Sequence, residues 1–135
     1  MRTIIGLALM LASTASTLAQ STESNLAKPN LLLQEIVAGM PKDEKQAVRV
    51  LTATFRPGDK TVYHTHRFPV IVYVLEGAFT LELDGRAPIV VKAGETLVEP
   101  PHVPMTGYNR SGSETTKVVV FYVSDPETPF LDPHH

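Results

Sequence analysis

Two histidines one residue apart, His64 and His66, are the pair whose types and spacing carry chemistry in this sequence. They fall in a run, Thr61–His66, whose composition reads as a β-strand. On a strand, residues i and i+2 point to the same face. Val62, His64 and His66 are therefore expected on one face, with two imidazoles ~7 Å apart along the backbone that can converge on one ion. The bland alternative is a pair of surface histidines on an exposed strand. No cysteine is present to supply a thiolate as nucleophile or ligand. A Gly-rich phosphate loop, a G-x-S-x-G elbow and a closely spaced carboxylate pair within a strand are all missing. Nucleotide, serine hydrolase and glycosidase chemistries therefore have no support.

The elements that must hold the pair alternate almost throughout. Val48, Val50, Thr52 and Thr54 lie on one face of a strand, and Ala47, Leu51, Ala53 and Phe55 on the other. Further strand signals recur at Thr61–His66, Val70–Leu75, Phe79–Leu83, Pro88–Val91, Thr96–Val98, Thr106–Asn109 and Lys117–Val123. Turn signals separate them: Pro57-Gly58-Asp59, Glu76-Gly77, Asp84-Gly85, Ala93-Gly94 and Arg110-Ser111-Gly112. Asp84-Gly85, between two alternating runs, predicts a hairpin closed by a type I′ turn, with positive φ at both residues. No segment carries a firm 3.6-residue stripe; Leu31–Met40 comes nearest, and a strand suits it equally well. Many short strands at even spacing predict an all-β domain, a sandwich or jelly-roll barrel.

The first residues read as a secretory leader. Arg2 precedes an apolar run from Ile4 to Ala12, and a small-residue segment ends at Ala19. Ser13, Thr14, Ser16 and Thr17 interrupt the run short of the ~20 apolar residues that a membrane span needs. The expected organisation is a cleaved leader over 1–19, a flexible mature N-terminus over 20–30, a barrel over 31–125 and a C-terminal arm over 126–135. The expected location is periplasmic or secreted, with no membrane attachment after cleavage. The chain has 12 basic and 14 acidic residues, and no basic patch tracks a phosphate backbone, which argues against nucleic acid.

Gly58, five residues, His64-Thr65-His66 and then the VIVYVLEG run ending at Gly77 resemble the first motif of the cupin superfamily, G-x5-H-x-H-x3–4-E-x6-G. The second motif, G-x5-P-x-G-x2-H-x3-N, can be laid on Gly94, Pro100 and Asn109. The resemblance implies a double-stranded β-helix, or jelly-roll barrel, with its site in the barrel mouth, and often a homodimer. It also shows departures. Val70 stands where the motif has its Glu ligand, His102 stands at the Gly position, and Met105 stands where the third His belongs.

Two ways of completing a metal site follow from that register. Met105 would give a His, His, thioether set without a carboxylate, a soft combination that favours copper as Cu(I). His102, in the Glu99-Pro100-Pro101-His102 turn, would instead give three imidazoles, suiting Zn, Cu or Fe; Mn enters through the family. Met105 as core filler and His102 as a solvated rim residue are the bland readings. Val70, Val72 and Val74 read as core or a dry pocket wall. Tyr63 and Tyr108 are candidate pocket residues, Arg67 and Glu99 a candidate surface ion pair, and His134 and His135 a mobile tail.

Three functions remain. The favoured one is an exported protein binding a transition metal through His64, His66 and Met105. The second is a metal-dependent dioxygenase or other oxidoreductase acting on a small organic substrate. The third is a metal-free barrel whose mouth holds a small-molecule ligand.

Overall fold

The computed structural model describes residues 25–135; the expected leader and residues 20–24 of the polar segment that follows it lie outside these residues. The described residues form nine strands: β1 (Ala47–Phe55), β2 (His64–Thr65), β3 (Val70–Glu76), β4 (Ala78–Leu83), β5 (Ile89–Lys92), β6 (Thr96–Glu99), β7 (Met105–Tyr108), β8 (Thr116–Ser124) and β9 (Asp132–Pro133). They form two antiparallel sheets with strand orders β1-β8-β3-β6 and β5-β4-β7-β2-β9. Among the described residues there is no helix. This is the all-β jelly-roll barrel that the alternation predicts.

Alternation becomes burial. Val118, Val120 and Tyr122 of β8 and Val70, Val72 and Val74 of β3 point inward, and Phe79, Leu81, Leu97 and Met105 close the core from the other strands. The opposite face of the four-stranded sheet is also apolar. Val50, Phe121, Ile71 and Val98 stand opposite one another across all four strands, and Val48, Val50, Ile71 and Phe121 are exposed there.

Several local expectations change. Leu31–Met40 is neither helix nor strand, but an irregular segment laid along the barrel's exterior. The β4–β5 connection is a five-residue loop, not a two-residue hairpin. Within it Arg86 N–H donates to Leu83 O (3.1 Å), and Gly85 has φ 72° while Asp84 stays at negative φ. That is the pattern of a type II turn, which needs positive φ at its third residue alone. Gly77, at φ 71°, is held to glycine by close approach as well, since a Cβ there would lie 2.4 Å from Thr115 O.

The two motifs meet in the fold. Asn109 is buried; its side-chain amide donates to Phe55 O (3.1 Å) and Glu114 O (2.7 Å). Its backbone carbonyl accepts from Gly58 N–H (3.2 Å). The motif asparagine is thus a structural tie that fixes the loop leading into the histidine strand.

Candidate functional site

The histidine strand is shorter than its composition predicts. β2 is only His64–Thr65, clamped between β7 and β9, with His64 opposite Met105 on one side and Pro133 on the other. Val62 does not share the histidines' face: it is exposed, because the chain bends at Tyr63 before the ladder begins. Its carbonyl still serves the site by accepting from His64 Nδ1–H at 2.7 Å.

His64 and His66 are both buried and turn inward together, their Nε2 atoms 3.1 Å apart and their rings nearly perpendicular at 81°. His66 Nδ1–H donates to Phe130 O at 2.6 Å. A backbone carbonyl only accepts, so each Nδ1 carries a proton, and a ring in its neutral form then presents its Nε2 lone pair to the interior. Burial lowers the His64 pKa below its usual 6.5, with the neighbouring His66 imidazole adding to the effect and the Val62 carbonyl and Glu99 opposing it. The neutral form of His64 is therefore favoured.

A carboxylate completes the cluster from an unexpected strand. Glu99 Oε2 lies 3.2 Å from His66 Nε2, and Glu99 is 6% exposed. It does not pair with Arg67, whose guanidinium makes a two-point contact with Asp132 (2.8 and 2.9 Å). The reason is sheet register. Val70 pairs with Glu99 across β3 and β6, so the carboxylate missing from β3 is supplied one strand over, on the same inner face. The inward parity of Leu97 and Glu99 was open to reading in the sequence; the register that sets Glu99 beside Val70 was not.

His64 Nε2, His66 Nε2 and Glu99 Oε2 thus follow one another at 3.1 and 3.2 Å, and with neutral rings and an ionised carboxylate all three are acceptors. Electrostatically the row is unfavourable unless a proton or a cation lies between its members. It is a row rather than a closed cage: among the described residues no group of three or more His, Cys, Asp or Glu side chains is arranged around one point. The row fits a metal in donor type, and each imidazole has the backbone-carbonyl partner that ligating histidines commonly use.

The histidines and Glu99 open on an interior cavity of about 140 Å³, otherwise lined mainly by apolar side chains such as Val72, Phe79 and Val120. Met105 is fully buried opposite His64 but is not among the residues lining this cavity. His102 is exposed on the β6–β7 turn at φ 62°, where it lines an exterior groove with Pro100 and Pro101. The structure thus brings His64 and His66 together with Glu99, sets Met105 beside them, and leaves His102 outside. Tyr63 and Tyr108 do not line the cavity either: Tyr63 OH contacts Asp84 at 2.5 Å, and Tyr108 lies under Arg110. His134 packs edge-on against Tyr63, so the tail is docked on the barrel.

A cupin domain family model matches residues 51–122, more than half of the chain. Solved structures agree in fold. A cupin-like protein from Thermotoga maritima superposes with TM-score 0.57 at 20% identity, over 64% of this chain and 64% of its own. An RmlC-like cupin from Shewanella frigidimarina gives TM-score 0.51 at 25% identity, over 59% of this chain and 68% of its own. Oxalate oxidase, solved with the substrate analogue glycolate, gives TM-score 0.51 at 28% identity, over 62% of this chain and 45% of its own. No curated protein matches the sequence.

Proposed function

The chain belongs to the cupin family, and on that premise we propose that it is an exported cupin that binds a transition metal ion inside its barrel through His64, His66 and Glu99. One observation carries the reading: two buried Nε2 lone pairs 3.1 Å apart, each fixed by a carbonyl on the far side of its ring, with a carboxylate next in line. A metal cation is a complement to such a row of acceptors. A bound metal would supply Lewis acidity at the cavity wall. The chain's own residues do the rest: Val62 O and Phe130 O hold the ring tautomers, and Val72, Phe79 and Val120 keep the cavity dry.

Glu99 shifts the expected metal. A two-histidine, one-carboxylate set suits Fe(II) or Zn(II) better than the soft, carboxylate-free set that favours Cu(I). The copper reading rests on Met105, buried and in register with His64. It is second because Met105 does not line the cavity. Both readings are tested by metal content after purification from the native compartment and by titration of the metal-free protein with Zn(II), Fe(II) and Cu(I). Absence of stoichiometric metal, together with no thermal stabilisation by any of them, sinks both.

An oxidoreductase function is supported by the similarity to oxalate oxidase, and the cavity admits only a small substrate. Oxygen uptake on small carboxylic acids, measured with each metal bound, tests it. Export rests on the leader reading of residues 1–19 and is tested by the N-terminal sequence of the mature protein. A homodimer is supported by the apolar Val50–Phe121–Ile71–Val98 row, a patch of the kind that marks an interaction face.

A further inference from the structure

The C-terminal arm lies beyond the residues that the family model matches, yet it closes the histidine cavity. Phe130 and Leu131 line that cavity. Phe130 packs on His66 (centroids 5.0 Å apart) and edge-on against Tyr122 (5.5 Å). Its carbonyl is the acceptor that fixes His66 Nδ1. With the arm in place, His66 is 1% and His64 4% exposed.

The fastening is slight. β9 has two residues, pairing Asp132 with Thr65 and Pro133 with His64. Beyond it stand His134 N–H on Tyr63 O (2.9 Å) and the Arg67–Asp132 pair, which is partly open to solvent on both sides. Short ladders and solvated ion pairs belong to the part of a fold that opens first, well below the cost of global unfolding. Pro126, Pro129 and Pro133 stiffen the arm, so it is suited to lift as a strap rather than fray residue by residue.

We propose that the arm Thr128–His134 is a strap that gates the histidine site and orients His66, with Arg67–Asp132 as its latch. While it is docked, the cavity of about 140 Å³ has room for about four or five water-sized groups, so the site admits an ion with water or a very small molecule. Anything larger enters when the strap lifts. The inference rests on the histidine pair being the site, but not on a metal being bound there.

The experiment uses the metal-free full chain and diethyl pyrocarbonate, an electrophile that acylates accessible imidazole nitrogens, with modification of each histidine followed by mass spectrometry. Thr65 and Asp132 stand directly opposite in the ladder, and the chain has no cysteine, so Thr65→Cys with Asp132→Cys gives one protein with both states. Oxidised, the disulfide pins the strap; reduced, the latch is gone. His64 and His66 should react about two- to five-fold faster than wild type in the reduced form, the range set by losing one exposed ion pair, and slower than wild type in the oxidised form. His102, already exposed, serves as the internal standard and should not change. Arg67→Asp with Asp132→Arg keeps the latch with its charges exchanged and should restore the wild-type rate. Equal rates at His64 and His66 in oxidised and reduced protein would overturn the proposal. Loss of metal binding with the rate pattern intact would overturn the metal reading and leave the gate standing.

Discussion

Glu99→Gln replaces a carboxylate by an amide of the same shape beside His66 Nε2, and its two effects should have opposite signs. Without metal, wild type holds Glu99 Oε2 3.2 Å from His66 Nε2 and that atom 3.1 Å from His64 Nε2, acceptors against acceptors. An amide N–H at position 99 donates to the imidazole. A net buried hydrogen bond is worth about 1 kcal/mol, which for a domain of this size raises Tm by about 4 °C. With metal the order reverses. Wild type, with free metal at about 100 times Kd, gains about 2.7 kcal/mol, or about 10 °C. Removing the carboxylate weakens binding by about 10- to 100-fold, taking as a lower guide the losses seen when ligand-supporting groups are removed. That forfeits about 1.3 to 2.3 kcal/mol of the gain. Differential scanning calorimetry at pH 8, first with chelator and then with Zn(II), reads both effects. A metal-free variant that melts below wild type, yet gains as much from Zn(II), would show that Glu99 is an ordinary buried residue and refute the reasoning.

Met105→Leu should leave Zn(II) affinity within about three-fold, because a volume-conserving swap disturbs the core little; a loss of Cu(I) binding in isothermal titration would instead restore the copper reading. Burial lowers the His64 pKa from 6.5, so the unfolded chain takes up the proton first. Metal-free stability should therefore be complete above about pH 6.5 and fall as the pH drops through the lower folded-state value, and denaturation midpoints in His64→Asn should vary less with pH over that range. Phe121→Lys places a charge in the exposed apolar row and should convert a dimer to monomer in light scattering without lowering Tm by more than a few degrees; an unchanged mass at micromolar concentration counts against that face. Gly77→Ala should cost about 2 kcal/mol or more, given its positive φ and the Thr115 carbonyl that a Cβ would meet; chemical denaturation reads the loss.

Local pattern determined much of this protein. Period-two alternation placed the strands to within a residue or two at most positions, because an inward apolar side chain and an outward neighbour are forced on any half-buried strand. The His-x-His pair was legible for the same reason, and its inward orientation matches the spacing rule even though β2 is two residues long. Turn type was less legible: Asp84-Gly85 fits several turns, and the Arg86–Leu83 hydrogen bond with Asp84 at negative φ chose among them. The composition of the site was decided only in three dimensions. Nothing in the order of residues says that Val70 faces Glu99, since register across antiparallel strands is set by the packing of the whole sheet. Nor does it say that a proline-rich tail returns to place the Phe130 carbonyl on His66, a contact 64 residues away in sequence. The sequence could name the two imidazoles; their third partner, their tautomers and their cover come from parts of the chain that meet only when the barrel closes.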